Sequence, residues 1–553
     1  MAELHQSIDP KSGFCPKSKT FHSLRPHVPL PPEHLPISAS EFAFSLLIRS
    51  ETPKTTAAII DAATGTSVSY AELTRRVETL AFALRTQIGL SRGDTAFILS
   101  PPCIQIPILY LSLLSIGVII SPANPTSTDP EVSRQMSLTK PAVAFVSAAT
   151  AGKVQNGCRR VLVDSGEFRS MMESGRTGGG VLNRAVKQGD TAAILYSSGT
   201  TGRIKGVELS HRNFIAVLAG YGEIKAERGA EAPHPVALFT VPLFHVFGFF
   251  MCLRGIAMGE TLVLMERFDL VGMLKAVERY RVTYMPVSPP LVVAMAKLDV
   301  VKKFDLSSLE LVGCGGAPLG KEVSERFTSR FPHIEITQGY GMTETTGGAS
   351  RMVGPSETIA FGSTGRLGEN TEAKIVDPAT GEALGPGQRG ELWLRGPIIM
   401  KGYVGDEEAT AATLDSEGWL KTGDLCYIDS NGFLYIVERL KELIKYKAYQ
   451  VPPAELEQLL QSHPEIADSA VIPYPDEDAG QIPMGFIVRK PGSKLNEAQV
   501  KDFVAKQARK LFVAPYKKLR RVTFINSIPK SPSGKILRRE LVDAAVHGSL
   551  SKL

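Results

Sequence analysis

Cysteine is scarce, with six in 553 residues. None falls in a Cys-x-x-Cys pair, and no histidine pair joins them at metal-ligand spacing, so no zinc framework is expected. Cys15, Cys103, Cys158, Cys252, Cys314 and Cys426 are expected as reduced thiols in an intracellular compartment. Long apolar runs are missing too. The greasiest stretch, residues 106–120, is shorter than a bilayer span and carries Pro107 near its start. It predicts a buried helix and no membrane span. The N-terminus lacks an apolar core and carries Glu3 and Asp9, so neither a secretory leader nor a transit peptide is expected. The net charge of +6 is modest, and no Lys/Arg block interleaves with aromatics. No nucleic-acid partner is expected on that ground.

What remains is the balance of a globular protein, 43% hydrophobic and 21% charged, long enough for several cores. Residues 1–40 show no sustained period and predict an irregular arm. From about residue 41, strand-length apolar runs alternate with amphipathic helical segments. Examples are Ala142–Val146, Ala192–Tyr196 and Val282–Val287. This alternation predicts an α/β fold with parallel sheets covered by helices. Between about 362 and 436 glycine and proline are frequent and short strands crowd together, which predicts a small β-rich, barrel-like subdomain. The last 110 or so residues predict a compact α+β unit. There Pro453 opens a helix with Leu456, Leu459 and Leu460 on one face. Asn496 and Gln499 resemble a capping box before Val500, Phe503 and Val504.

The strongest local signal is Ser197-Ser198-Gly199-Thr200-Thr201-Gly202-Arg203-Ile204-Lys205-Gly206, directly after an apolar strand. Glycine lets the backbone bend and approach a ligand closely. The hydroxyls and free N–H groups then donate to phosphate oxygens, and Lys205 adds positive charge. The loop lacks the Gly-Lys-Ser/Thr ending of a P-loop NTPase. A near-match at Gly315–Lys321 fails as well, because Glu322 stands where the magnesium-binding hydroxyl belongs.

Other segments follow in order: Pro242-Leu243-Phe244-His245, Gly315-Gly316-Ala317-Pro318-Leu319, Gln338-Gly339-Tyr340-Gly341-Met342-Thr343-Glu344, Trp419–Asp424, Arg439–Lys445 and Pro529–Lys535. Together with the loop, from about residue 40 to 540, they resemble the adenylate-forming superfamily. Within it the chain is most similar to the plant 4-coumarate–CoA ligase-like acyl-CoA ligases. Firefly luciferase is a more distant relative.

That resemblance implies a large N-terminal AMP-binding domain (41–438), a hinge at 439–441 centred on Lys441, and a mobile C-terminal domain (442–550). It implies an ATP-dependent acid–CoA ligase that forms an acyl-adenylate and then a thioester. The alternatives are a cinnamate-type CoA ligase and a luciferase-like oxidoreductase. ATP and coenzyme A are the implied co-substrates and Mg²⁺ the implied cofactor, held at Glu344. Ser197, Ser198, Gly199, Thr200, Thr201, Gly202, Lys205 and Thr343 would bind phosphates. Gly316, Ala317, Gln338, Gly339 and Tyr340 would bind adenine, and Asp424 and Arg439 the ribose side. Lys535 would serve adenylation. Lys445 would serve the second half-reaction, and His245 the carboxylate end of the acid.

The implied acid pocket comprises Val246, Phe247, Gly313, Gly316, Gly339, Gly341, Gly347 and Gly348. Phe247 cannot hydrogen-bond a phenol, and the glycines suggest room and few polar anchors. A fatty or oxylipin-type acid is therefore expected. Ala448 stands where the family has glycine near the pantetheine path. Ser551-Lys552-Leu553 matches a receptor-read peroxisomal address, so a peroxisomal location and an import receptor are expected.

Overall fold

The computed structural model describes residues 8–155, 157–173, 186–198, 204–226, 233–447, 449–510, 518–531 and 534–546, with the backbone alone for Ser198, 224–226 and 507–510. Two mixed sheets carry the large domain. In the nine-stranded one, Glu335–Tyr340, Leu311–Cys314, Tyr284–Val287, Val236–Phe239, Thr261–Leu264 and Ala57–Asp61 run parallel, and short antiparallel strands close the edges. In the seven-stranded one, Thr191–Ser198, Ile119–Pro122, Thr95–Leu99, Val143–Val146 and Arg159–Leu162 run parallel. Its other edge turns antiparallel through Ile204–Ser210 and Gly402–Tyr403. Each apolar run singled out in the sequence supplies one of these strands.

Helices cover the sheets and share buried hydrophobic cores with them. Ala39–Arg49 and Tyr70–Ala83 start on full capping boxes, Ser38 with Glu41 and Ser69 with Glu72. Each box satisfies two orphan backbone donors at the helix start. The greasy stretch splits after the helix Gln105–Ser115, which is buried from Ile106 to Ser115, and continues as the strand Ile119–Pro122. Among the described residues no helix is long and apolar enough to cross a membrane.

The glycine-rich region folds as an antiparallel sheet built on Glu372–Val376, Gly390–Arg395, Leu420–Ile428 and Leu434–Arg439. Two further strands come from the segment expected to be irregular: Phe14–Cys15 pairs with Thr20–His22, which pairs with Glu372–Val376. Strands of two and three residues are too short to show a period of two, so the sequence pattern hid them. Phe21 is fully buried there and anchors the arm.

The C-terminal unit has its own five-stranded sheet and its own cores. Leu456, Leu459 and Leu460 of the helix Pro453–Gln461 pack with Val500 and Val504. Asn496 and Gln499 each accept the other's backbone N–H at 2.9 Å, which makes the predicted capping box. This unit seats against the large domain. Lys297 Nζ donates to Gln461 O and Ile466 O at 3.3 and 3.1 Å, and the Ala454 N–H donates to Glu438 Oε2 at 2.8 Å.

Candidate active site

The phosphate loop joins two antiparallel strands. Lys205 lies opposite Ser197 in the register, so the segment expected after one strand lies between two paired strands. Gly199, Thr200, Thr201 and Gly202 lie outside the described residues, as do the Ser198 side chain, Ala448 and 551–553. The hairpin's stem shows how the site is framed. Ser197 Oγ donates to Glu344 Oε1 at 3.2 Å, and Tyr403 Oη donates to the same oxygen at 3.0 Å. The Lys205 ammonium sits 4.1 Å above the centre of the Tyr403 ring. Tyr403, on a two-residue strand beside the hairpin, was not singled out in the sequence. Only its neighbour in space, not its neighbours in sequence, marks it.

Glu344 is buried in the short turn Thr343–Thr345, and Thr343 is buried with it. Both donors fall on Oε1, and among the described residues no donor reaches Oε2. A hard carboxylate oxygen left open in this way suits Mg²⁺, which takes one or two protein carboxylates and completes its shell with phosphates and water. Among the described residues no cluster of three His, Cys, Asp or Glu forms an all-protein cage.

Asp424 lies opposite Arg439 in the register of the antiparallel sheet. Arg439 Nε is 3.5 Å from Asp424 Oδ1, and Tyr340 Oη donates to Asp424 Oδ2 at 2.6 Å. Burial raises the Asp424 pKa, against the pull of Arg439, the Tyr340 bond and Lys535. Tyr340, expected as a stacking ring, thus also orients the carboxylate expected at the ribose. Gln338 is buried two residues earlier on the same strand.

Lys535 comes from the C-terminal unit. Its loop is pinned by the Ser531 N–H to Lys535 O bond at 2.8 Å and the Lys535 N–H to Ser531 Oγ bond at 3.1 Å. Burial lowers its pKa, as does Arg439, while Asp424, Glu344 and Glu442 oppose them. Its field also reaches His245, whose pKa falls to about 4, first through burial and then through Lys535. His245 is the N-cap of Val246–Ala257, and its Nδ1 accepts the Phe247 N–H at 3.3 Å. The imidazole is therefore neutral, with its Nε2 as the donor. Residues from four separate segments thus converge: Glu344, Asp424 with Arg439, His245, and Lys535. Lys441 is exposed at the hinge, and partial desolvation followed by Arg439 lowers its pKa. Lys445 is not part of this group; it is exposed on the strand Ile444–Tyr446.

A cavity beside His245 is lined by Thr240, Val241, Pro242, Phe247, Ser288 and Gly316. Gly316 has φ +84°, a conformation that favours glycine. The other pocket glycines open less room than the sequence suggested. A Cβ on Gly313 would lie 2.8 Å from Tyr284 Oη, and one on Gly347 would lie 2.4 Å from Phe250 Cδ1. Val246 stands 3.3 Å from that same Gly347 position. On Gly341 a Cβ would meet Gly347 O at 2.2 Å, and on Gly339 Ser350 O at 3.1 Å. These glycines admit neighbouring rings and backbones. Gly348 alone of this pocket set has nothing within 4 Å of its Cβ direction.

Residues 49–404 match the AMP-binding enzyme family, and residues 455–535 match the AMP-binding enzyme C-terminal domain. The chain belongs to the AMP-binding enzyme family. It is 57% identical to 4-coumarate–CoA ligase-like 9 of Arabidopsis thaliana over 99% of this chain and 98% of that one. It is 45% identical to the peroxisomal OPC-8:0-CoA ligase 1 of the same plant, over 98% and 99%. Among solved structures it resembles ATP-bound MatB from Rhodopseudomonas palustris, with a TM-score of 0.79, 25% identity, and 92% and 99% coverage. The AMP-binding chain is accordingly an enzyme of the adenylate-forming acid–CoA ligase class. ATP and coenzyme A are the co-substrates of that class.

Proposed function

We propose that this ligase activates an apolar fatty or oxylipin-type acid in the peroxisome, using Mg²⁺ and the residues gathered around Lys535. The observation that carries the reading is the placement of Lys535. A C-terminal-domain ammonium enters the group formed by Asp424, Glu344 and His245 of the large domain and Arg439 at the hinge.

The chemistry needs that arrangement. A carboxylate carbon is a poor electrophile because it shares negative charge. Attack of a carboxylate oxygen on the α-phosphorus of ATP forms a mixed anhydride and expels pyrophosphate. Like charges oppose this step, so cations must stand where charge gathers. Lys535 would be the cation between the acid end, at His245, and the nucleotide side, at Asp424. Bound Mg²⁺ at Glu344 would neutralise phosphate charge. Asp424 would accept from the ribose hydroxyls, with Tyr340 and Arg439 holding it. Lys205 and Ser197 would serve the phosphates from the hairpin. In the second half-reaction the thiol of coenzyme A attacks the acyl carbon and AMP leaves. Withdrawal of Lys535 about Lys441 would clear the site and bring up Lys445.

Neutral His245 beside Phe247 and Ser288 supports an acid whose chain near the carboxylate is apolar. The identity to a peroxisomal relative supports the location, with Ser551-Lys552-Leu553 as the address and an import receptor as the partner. A fluorescent fusion with and without that triplet tests the location.

Incubation of candidate acids with ATP and Mg²⁺, with or without coenzyme A, tests the chemistry. AMP, pyrophosphate and a thioester are expected. ADP as the product would sink the reading, and oxygen consumption with light would favour the luciferase-like alternative.

A further inference from the structure

The helix Val246–Ala257 is buried at ten of its twelve positions; the exceptions are Phe247 and Arg254. These two are seven residues apart and so share one face, about 10.5 Å apart along the axis. Phe247 lines the cavity at His245. Arg254 therefore marks the far end of the same stripe. A neighbouring strand repeats the pattern. Ser288 lines the cavity, and Tyr284 lies four residues back on the same side, about 13 Å away in extended chain. The strand beside it does so again: the Cβ direction of Gly315 meets Phe247 at 3.4 Å, and that of Gly313 meets Tyr284 Oη at 2.8 Å.

At this far end the groups are polar and incompletely paired. Arg254 makes two bonds to Glu260, at 2.7 and 2.9 Å, but its Nε is buried without a partner. Its guanidinium lies 5.4 Å from the Tyr284 ring. Among the described residues the Tyr284 hydroxyl has no hydrogen-bond partner. Burial keeps that phenol protonated, so it is a donor. A buried donor without an acceptor, as at Arg254 Nε, is uncommon and costly.

We propose that Tyr284 Oη and Arg254 Nε form a distal donor site. It binds a neutral oxygen acceptor, a ketone or hydroxyl, carried about 10–13 Å along the acyl chain from the reacting carboxylate. A second carboxylate is the poorer fit, because Glu260 already neutralises Arg254. This inference rests on the ligase reading and names the far end of its acid.

The test compares decanoic acid with decanoic acid bearing a ketone on its penultimate carbon, by pyrophosphate release from the full chain. The wild type is expected to favour the keto acid in kcat/KM by roughly tenfold, and Tyr284→Phe to cut that preference about fivefold to tenfold. The variant, which removes one oxygen, should leave decanoic acid within about twofold. Equal use of both acids by the wild type, or equal loss on both in Y284F, would overturn the site. No AMP from either acid would overturn the ligase reading and the site with it.

Discussion

Tyr340 and Asp424 are joined by a 2.6 Å hydrogen bond between the phenol and Oδ2, across elements 84 residues apart in sequence. The carboxylate is buried, and its other oxygen faces Arg439. The bond fixes the rotamer of the group expected to take the ribose. Tyr340→Phe should therefore raise the KM for ATP about fivefold to tenfold and lower stability by about 1 kcal/mol. Pyrophosphate release against ATP concentration measures the first, and urea unfolding the second. An unchanged KM would remove Tyr340 from the site.

Among the described residues, Glu344 has donors on one oxygen and none on the other. Glu344→Gln keeps the acceptor for Ser197 and Tyr403 but removes the charge a hard cation needs. The Mg²⁺ concentration for half-maximal adenylation should rise at least tenfold, on the order of one lost charge-assisted contact. Thermal stability should stay near that of the wild type. Chelating the metal should abolish adenylation in both proteins. Equal Mg²⁺ dependence in both would place the ion elsewhere.

Much of this site was legible because phosphate chemistry leaves compact sequence marks. The glycine-and-hydroxyl hairpin, Glu344, Asp424, Arg439 and Lys535 all sit in short ordered motifs. The helical faces were legible for a similar reason: Leu456, Leu459, Leu460, Val500 and Val504 carry the period that burial demands. What escaped was tertiary. Tyr403 and Tyr284 act through contacts made by strands distant in the chain. Gly313 and Gly347 looked like open pocket positions, yet Tyr284 and Phe250 fill them. A missing side chain in the sequence does not say which neighbour takes its place. The arm strands Phe14–Cys15 and Thr20–His22 escaped because they are shorter than any period.

On the proposed function, Lys535 serves adenylation and not thioester formation. Lys535→Ala removes the ammonium that enters the large domain's group, so adenylation should fall by about a hundredfold or more, the scale of losing a key charge stabiliser. Thioester formation from a synthetic acyl-adenylate should stay within a few-fold of wild type. Quenched single-turnover runs on each half-reaction measure the two. An equal loss in both would contradict withdrawal of this lysine between steps.

Glu438 should make seating of the C-terminal unit depend on pH. It is buried just before the hinge, where Oε1 accepts the Arg439 N–H and Oε2 accepts the Ala454 N–H at the start of the helix Pro453–Gln461. Glu442 and Glu457 stand nearby, and both pair with the one guanidinium of Arg538 at 2.7 Å. Burial raises the Glu438 pKa to about 7, against Arg538 and with the repulsion of Glu457. An exposed glutamate ionises near 4.5. The seated form therefore holds an extra proton between these values, and its advantage is lost as pH rises through about 7. Release of the C-terminal unit should increase about tenfold between about pH 6 and pH 8, the ratio that a single group with this pKa gives. Limited proteolysis at residues 440–443 reads it in the full chain. Glu438→Gln, which cannot ionise, should flatten the profile. A wild-type profile that is already flat, or one that Glu438→Gln leaves unchanged, would show that this carboxyl does not govern the seating.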